Sequence, residues 1–423
     1  MNRYLPVLKI QSRLKQWLGI FLILLTLSLN AQNGSANKFV SISGQNLIDT
    51  KGQKILIQGT NVGNWLNPEG YMFFFKDTSS YRLIDQAFKE MVGPDFTNWF
   101  WREFKNNYIT EKDIQYIKST GMNTVRVPFH YKQFTDEDFM GQTGKQDGFV
   151  ILDNVIKWSK KHGLYVILDM HVAPGGQTGD NIDDSYGYPW LFTEKASQKQ
   201  FVDIWVQIAK RYANEPTVMG YDLLNEPIAH YFEKDYAVLH PSLEALYKLA
   251  VTELRKVDKN HIVFLGGSQW NSNFSIFNDW KYDSKLAFTG HRYWSGTDDN
   301  SIKDFLEFRA KVNLPFFIGE TGENTDQWVK DFRETLERNN VGWTFWPYKK
   351  MVETAGMVII PKPKDWDLIV EYTKQDRSSF EKIRNARPDQ QRVRNALIEL
   401  LHNMKFENNR INKGYIEALG MNP

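Results

Sequence analysis

Two glutamates in this chain stand where acid–base chemistry would need them. Glu226 ends the apolar run "VMGYDLLNEP" (218–227), and Glu320 lies in the run "FFIGETGE" (316–323). Burying an isolated carboxylate is costly, so an apolar strand that ends in one calls for a functional reason. Glycoside hydrolysis is a reaction that uses two carboxyl groups and needs no metal. One carboxyl group is protonated and donates its proton to the leaving oxygen, while the other is ionised and either attacks the sugar or activates a water molecule.

Other polar and ionisable residues also follow apolar runs. Arg126 is expected to keep a nearby carboxylate ionised by attraction, and Tyr293 is placed to donate a hydrogen bond to the same group. Glu226, which lies beside Asn225, has no evident cationic partner in the sequence, so we expect its pKa to be free to rise. Asp169 is expected to be a structural partner of Arg126 or of a histidine. The full set at the ends of the runs is Asn61, Arg126, His171, Asn225, Glu226, His291, Tyr293, Glu320 and Trp346.

The elements that must position these residues are eight short apolar runs. They are β-branched and apolar on both faces, as parallel strands buried on both sides must be. In order they are "ILIQGTNVG" (55–63), "NTVRVPF" (123–129), "YVILDMH" (165–171), "VMGYDLLNEP" (218–227), "IVFLGGSQW" (262–270), "LAFTGHRYW" (286–294), "FFIGETGE" (316–323) and "GWTFWPYK" (342–349).

Segments of helical period separate these runs. "ASQKQFVDIWVQIAKRYAN" puts its apolar residues on one face, and 245–257 and 325–338 are similar. Thr110 and Asp113 form a capping-box pattern that opens another helix. Strands alternating with helices in this number predict an α/β fold of the (β/α)8 TIM-barrel type, whose carboxyl strand ends meet at one rim. A doubly wound open sheet, the alternative, normally uses fewer strands.

The remaining segments extend this barrel. "FVSISGQNLIDTKGQK" predicts a short N-terminal hairpin that turns near residues 50–52. Long loops follow the first strand (64–109) and the eighth (350–375), at the end of the barrel where active sites form. No linker rich in Pro, Gly or Ser divides the chain. We therefore expect one catalytic domain over 38–410, followed by a C-terminal tail at 411–423.

Composition excludes several classes of protein. A formal net charge of +2 without a clustered basic run gives no support for a nucleic-acid partner. The absence of cysteine excludes disulfides, thiolate zinc sites and a lipid anchor on an N-terminal Cys. The histidines lack HxH or HExxH spacing, and no glycine-rich loop has phosphate-binding spacing, so we expect neither a metal nor a cofactor. We also expect a monomer.

The N-terminus resembles a secretory signal peptide. Four basic residues precede the apolar run "WLGIFLILLTLSL", and small and polar residues follow it. We expect cleavage after Ala31, although Leu29 occupies a position that prefers a small residue. The prediction is a signal peptide at 1–31 and a secreted or periplasmic protein without membrane association after its removal. An uncleaved N-terminal anchor is the alternative.

These motifs together resemble glycoside hydrolase family 5, in the large clan of retaining (β/α)8 glycosidases. The ordered pieces are "NTVRVP", "LDMH", "LLNEP", "HRYW", "FIGE" and "GWTFW", which cover about 55–349. The resemblance implies that Glu226 is the acid/base and Glu320 the nucleophile. It also implies roles for six other residues: Asn225 binds the substrate 2-hydroxyl, Arg126 and Tyr293 orient the nucleophile, His171 and His291 line the subsite of the attacked sugar, and Trp346 is its floor.

The first run is similar to a narrower branch of the family. "GTNVGNWLNPEG" resembles the exo-acting β-1,3-glucanases, with Asn61 and Trp65 in matching places and Glu69 as the contact to the non-reducing end. Two segments depart from that branch: "GETGENTDQW" lacks the Trp that often follows the nucleophile, and "WPYKKM" opens a Lys- and Pro-rich insertion.

Several functions therefore stay open at this point. The leading hypothesis is a secreted retaining β-glycosidase acting on a β-linked oligo- or polysaccharide of glucose, trimming from the non-reducing end. An endo-β-1,4-glucanase, a mannanase or a glucosyl-lipid hydrolase would keep the same mechanism with another substrate. A non-catalytic carbohydrate-binding barrel is a more distant alternative, which the presence of both glutamates disfavours.

Overall fold

The barrel strands are short, parallel and buried along their length. The computed structural model describes residues 38–423, so the predicted signal peptide lies outside the described residues. The strands close into a barrel in the order β10-β11-β4-β5-β6-β7-β8-β9. Their bounds are β4 Gln58–Asn61, β5 Thr124–His130, β6 Tyr165–Val172, β7 Val218–Asp222, β8 Ile262–Gly266, β9 Leu286–His291, β10 Phe316–Glu320 and β11 Gly342–Phe345. The predicted (β/α)8 architecture is confirmed.

Amphipathic helices cover the outside of the barrel. Their bounds are α1 Tyr81–Val92, α2 Pro94–Tyr108, α3 Glu111–Ser119, α4 Asp147–His162, α5 Lys195–Tyr212, α6 Tyr236–Arg255, α7 Lys303–Val312 and α8 Asp326–Arg338. The capping box that opens α3 is present, with the Thr110 amide donating to Asp113 Oδ2 at 2.8 Å. One crossover has no full helix: between β8 and β9 the chain makes only a short turn, Ser268–Asn271, in which Gln269 and Trp270 have left-handed backbone.

The N-terminal segment forms three strands, where the sequence predicted a two-stranded hairpin. They are β1 Ser41–Ser43, β2 Asn46–Ile48 and β3 Lys54–Ile55, all antiparallel. The predicted turn near residue 50 joins β2 to β3, and Gly44 with its left-handed φ makes the additional turn between β1 and β2. A tight turn of this kind favours glycine. Because the turn is tight and the strands on either side of it are short, no longer apolar run in the sequence marks the pairing of β1 with β2.

The two long loops are themselves largely structured. The loop after β4 contains α1 and α2, and the loop after β11 contains β12 Lys349–Lys350, β13 Val358–Ile359 and α9 Trp366–Thr373. Beyond it lie α10 Phe380–Ala386, α11 Gln390–Asn403, β14 Arg410–Ile411 and α12 Lys413–Ala418. In the segment predicted as a tail, β14 pairs with β13, and Tyr415 and Ile416 of α12 are buried.

Residues Val40–Pro423 form one compact unit around this barrel. Most of the aromatic residues are in its core, where they fill the space between the barrel strands, the helices and the long loops. Within the described residues, no helix combines the length and apolar character needed to cross a membrane.

Candidate active site

A cavity of about 610 Å³ opens at the carboxyl ends of the barrel strands. Loops after seven of the eight barrel strands contribute to its wall, as expected for a TIM-barrel active site. The lining side chains are Glu69, Tyr71, His171, Asp180, Asn181, Ile182, Glu226, Gln269, Trp270, Ser272, His291, Arg292, Tyr293, Trp294, Glu320, Glu323 and Trp346.

Glu226 and Glu320 meet in this cavity. Oxygens of the two carboxyl groups lie within 4.8 Å of each other. Glu320 is the last residue of β10, whereas Glu226 follows β7 on a turn with a left-handed φ of 44°. Non-glycine residues adopt this conformation at an energetic cost that surrounding contacts must offset. Here Thr178 Oγ1 donates to the Glu226 carbonyl oxygen at 2.7 Å and helps to hold the turn.

Arg126 lies under the pair and is completely buried. Its guanidinium contacts three carboxylates and two amides. The partners are Asp169 at 3.0 Å, Asp222 at 2.9 Å, Glu320 at 2.6 Å, and the side-chain oxygens of Asn61 and Asn225, each at 3.0 Å. The guanidinium of Arg126 therefore orients five side chains of the barrel. Its single positive charge faces three carboxyl groups, so it cannot neutralise all of them.

The surroundings of Glu320 favour its ionised form more than those of Glu226 do. Burial raises the pKa of Glu320, but Arg126 and then His171 lower it in opposition. The Tyr293 hydroxyl donates to the second carboxylate oxygen of Glu320 at 3.1 Å. Both oxygens of Glu320 thus receive a donor, the contacts predicted for a carboxylate that must carry charge.

Glu226 has no comparable cationic contact within residues 38–423. Burial raises its pKa well above the usual range for a glutamate, and the charge of Glu320 raises it further. Its Oε1 lies 2.9 Å from Nδ1 of His291, whose own pKa is lowered well below the usual range by burial and by Arg126. The pKa of Glu226 is thus raised well above its usual range, and that of Glu320 is raised less because Arg126 and His171 oppose the effect of burial.

His171 and Trp346 form one side of the cavity. The two rings are stacked with centroids 5.3 Å apart and planes at 4°. Burial alone would lower the pKa of His171, but hydrogen bonds with Asp169 and Glu69 outweigh it and raise the pKa to about 10. The imidazole is therefore cationic at neutral pH. A β-carbon at Gly63 would overlap the Trp346 ring, so the glycine in "NVGNW" leaves room for this wall.

The predicted substrate contacts fall into two groups. His171, His291, Tyr293, Trp346 and Glu69 line the cavity with the two catalytic candidates. Arg126, Asn61 and Asn225 lie behind the wall and are fully buried. Asn61 donates to the Gly319 carbonyl oxygen at 3.0 Å and accepts from Arg126, so it braces barrel strands and does not face a substrate.

Trp65 is also not a cavity residue, and its prediction as a substrate contact is corrected. Its ring is 2% exposed and belongs to the hydrophobic core. Its indole nitrogen donates to the Lys105 carbonyl oxygen at 2.8 Å, which ties the start of the loop after β4 to α2. The resemblance at this position therefore reflects packing of the loop.

Sequence reasoning missed other residues of the site. Asp222, at the end of β7, is the second aspartate on Arg126, and burial raises its pKa to about 7 despite that contact. Trp270 and Trp294 line the mouth on left-handed backbone, which periodicity cannot reveal. Glu323, Lys350 and Tyr71 form a polar group whose members lie far apart in the chain, so no sequence pattern brings them together. Among these residues, only Asp222 had a signal in the sequence: it is an aspartate inside an apolar run, four residues before Glu226.

Two clusters in the cavity have the donor types of a metal site. They are Asp169, His171 and Glu320, and Glu226, His291 and Glu320, each with atoms within 4.8 Å of one another. In both clusters the donors are already engaged with one another or with Arg126. The expectation that the chain needs no metal stays a prediction.

Comparison with known proteins agrees with this geometry. The model of the family described as cellulase, glycosyl hydrolase family 5, matches residues 85–351. A β-xylosidase from Phanerodontia chrysosporium is 32% identical over 242 residues, which cover 57% of this chain and 48% of the relative. Endoglucanase C from Acetivibrio thermocellus is 28% identical over 316 residues, covering 60% and 87%.

Further comparisons are more distant. A glucan 1,3-β-glucosidase from Lachancea kluyveri is 29% identical over 255 residues, covering 57% of this chain and 52% of the relative. The chain thus spans about half the length of this relative and of the xylosidase. A crystal structure of an endogalactoceramidase has a TM-score of 0.56 at 18% identity, covering 74% and 75% of the two chains, and shows the shared fold. The chain belongs to glycosyl hydrolase family 5, the cellulase family, and is a glycoside hydrolase.

Proposed function

We propose that this protein is a retaining β-glycosidase that cleaves β-glucans by double displacement, with Glu226 as the acid/base and Glu320 as the nucleophile. The observation that carries the proposal is the unequal environment of two adjacent carboxyl groups. Glu320 receives Arg126 at 2.6 Å, whereas Glu226 faces a histidine whose pKa is lowered. Their separation within 4.8 Å suits a nucleophile, since retaining enzymes hold the two groups about 5–5.5 Å apart.

In the first step, a Glu320 oxygen attacks the anomeric carbon as the bond to the leaving oxygen breaks. The leaving oxygen takes the bonding electrons and the proton of Glu226, and the sugar becomes an ester of Glu320. The hydrogen bonds of His291 are consistent with a transferable proton on Glu226. Its Nδ1 has an acceptor in Glu226 Oε1, whereas its Nε2 has no hydrogen-bond partner among the described residues. The Nδ1–H tautomer is therefore favoured, and it leaves the second Glu226 oxygen to carry the proton toward the leaving group.

In the second step, ionised Glu226 takes a proton from a water molecule that attacks the anomeric carbon from the side the leaving group vacated. The ester bond to Glu320 breaks, and the nucleophile returns as a carboxylate. Two inversions at one carbon retain the anomeric configuration. Arg126 and Tyr293 hold Glu320 in place through both steps, which limits the reorganisation needed in the transition state.

The remaining contacts would bind the sugar. Trp346 offers a flat apolar face to the attacked ring, held parallel to the cationic His171. Asn225 lies just behind the wall, with its oxygen bound to Arg126 and its amide nitrogen 3.5 Å from His171 Nε2, and its role at the 2-hydroxyl requires that this nitrogen reach the sugar past His171. Glu69 Oε1 lies 3.4 Å from His171 Nε2 and has no other polar partner in the described part of the chain, so it keeps capacity to accept a sugar hydroxyl.

We assign a glucose-based substrate because several relatives are a glucan 1,3-β-glucosidase or an endoglucanase by name. Exo action from the non-reducing end is the favoured mode, supported by the buried acceptor Glu69 in the cavity wall. Endo action on a β-1,4-glucan is the second candidate, supported by the endoglucanase relative that the match covers over most of its length. We also propose export through the N-terminal segment 1–31 and a monomeric enzyme.

Nucleophile rescue tests the proposed mechanism. Glu320→Ala and Glu226→Ala should both lose hydrolysis of laminarin oligosaccharides, and azide should restore turnover of an activated aryl β-glucoside by each. The Glu320 variant should release the α-glucosyl azide and the Glu226 variant the β-azide, because only the second retains the nucleophile. Glu253→Ala, which removes an exposed glutamate on α6, is the matched control and should behave as wild type. A β-azide from the Glu320 variant would refute the assignment.

Product analysis separates the two modes of action. Digestion of laminarin and of cello-oligosaccharides is followed by chromatography from the first minutes. Glucose as the sole early product supports exo action, whereas a ladder of oligosaccharides contradicts it and supports endo action.

A further inference from the structure

One polar cluster in the cavity wall has no part in the mechanism above. It consists of Glu323, Lys350 and Tyr71, called here the Glu323 cluster. Lys350 Nζ lies 2.8 Å from each carboxylate oxygen of Glu323, and the lysine side chain is fully buried. The Tyr71 hydroxyl donates to Glu323 Oε1 at 3.2 Å. Three loops, those after β4, β10 and β11, thus meet in one small network.

The cluster is joined to two rings of the cavity. Trp346 Nε1 donates to the Tyr71 hydroxyl at 2.7 Å, so the ring assigned as the sugar platform is held by the cluster. Trp294 Nε1 donates to the Glu323 carbonyl oxygen at 3.2 Å. Glu323 itself has a left-handed φ of 50°, a conformation that is costly for a residue with a side chain. Such strain is often maintained at functional positions.

Glu323 retains capacity to bind a further donor. Its Oε1 accepts from Lys350 and Tyr71, whereas its Oε2 accepts from Lys350 alone. A carboxylate has about four acceptor positions, so one on Oε2 is unused. The side chain is 16% exposed, and it lines the cavity that holds Glu226 and Glu320.

A purely structural role explains this arrangement less well. A buried ion pair contributes little net stability, because desolvation of both charges offsets their attraction. An apolar pair would brace the same loops without placing a charged acceptor on the cavity wall. A free acceptor position on a carboxylate of this kind suits a donor such as a sugar hydroxyl.

We propose that Glu323 is a specificity-determining residue that accepts a hydroxyl group of the sugar bound against Trp346, with Lys350 and Tyr71 fixing its orientation. The inference rests on the proposed function in one respect, the placement of the sugar on that ring. The glycone selected in this way is a hexose with a free hydroxyl facing the loop after β10.

The test couples a protein change to the loss of single substrate hydroxyls. The double variant Glu323→Leu with Lys350→Met removes the acceptor together with its cation and leaves no buried charge unpaired. The substrates are an aryl β-glucoside and its 3-, 4- and 6-deoxy analogues, measured by kcat/KM and, for binding alone, by quenching of tryptophan fluorescence. Asp283→Leu with Arg255→Met removes a half-buried ion pair far from the cavity and is the matched control.

In the wild type and the control, one deoxy analogue should lose about 10- to 100-fold in kcat/KM, the range for a hydrogen bond to a charged acceptor. In the Glu323 double variant the parent glucoside should lose a similar factor, and the penalty for that analogue should fall below about 3-fold because the partner is gone. Equal penalties for every analogue in all three proteins would overturn the role of Glu323. A wild type that hydrolyses no glucoside would overturn the proposed function instead, and the binding measurement would then decide on Glu323 separately.

Discussion

Replacing Arg126 by methionine should destabilise the folded protein in a way that depends on pH. The substitution keeps most of the side-chain volume but removes the guanidinium from a fully buried position. Three carboxylates then lose the guanidinium as an ion-pair partner: Asp169 at 3.0 Å, Asp222 at 2.9 Å and Glu320 at 2.6 Å. Asn61 and Asn225 also lose the donor to their side-chain oxygens.

The magnitude follows from the cost of unpaired buried charge. Breaking one buried ion pair by removing one partner costs about 3–5 kcal/mol. The three losses share one guanidinium and do not add, so we expect a decrease of about 3–6 kcal/mol in the free energy of unfolding at pH 7.5. Burial raises the pKa values of Asp222 and Glu320, and without Arg126 nothing at this position opposes that rise, so both lie further above their unfolded values. Their contribution to stability is therefore intact below about pH 4 and is lost as the pH rises.

Urea unfolding followed by tryptophan fluorescence at pH 5.0 and pH 7.5 measures both effects. The difference in unfolding free energy between wild type and Arg126→Met should be smaller at pH 5.0, because protonation of the buried carboxyl groups removes part of their unpaired charge. Arg255→Met is a matched control, because this arginine is half-buried and pairs with a single aspartate at 2.7 Å. A loss below about 1 kcal/mol, or one that grows as the pH falls, would refute the reasoning.

Other changes test individual contacts. The basic limb of the kcat/KM–pH profile should lie above the ordinary glutamate range, because burial raises the pKa of Glu226; a limb near pH 4.5 would contradict this. Glu226→Gln should lose far more activity on oligosaccharides than on dinitrophenyl glycosides, which need no protonation; equal losses would count against an acid role. Tyr293→Phe should lower kcat about 10-fold through one lost hydrogen bond to Glu320, and an unchanged kcat would exclude that contact. Trp65→Phe should lower stability by about 1–3 kcal/mol with KM unchanged, whereas Trp346→Phe should raise KM; the reverse pattern would contradict their placement.

The fold was predictable because parallel barrel strands have a strong local signature. Each is short, β-branched and apolar on both faces, and most carry a polar residue within the strand or just after its carboxyl end. This pattern locates Arg126, Glu226 and Glu320 without any knowledge of their contacts, since all barrel strands point the same way. The turn at Ser268–Asn271 escaped prediction because its left-handed residues are not glycines.

Contacts between loops were beyond sequence reasoning. Glu323 and Lys350 lie on separate loops, and only the closed barrel brings the loops after β10 and β11 together. Trp65 shows the opposite limit. A motif that resembles a substrate-binding loop identifies which residues the loop contains, but the side on which an indole packs is decided by α2, which contributes the Lys105 carbonyl acceptor.

The stereochemistry of the first-formed product tests the central claim most directly. Proton NMR resolves the α and β anomers of the released sugar before mutarotation mixes them. Double displacement through Glu320 predicts that the β anomer appears first and the α anomer only later. An α anomer at the earliest times would show a single displacement by water and would contradict the assignment of Glu320 as nucleophile.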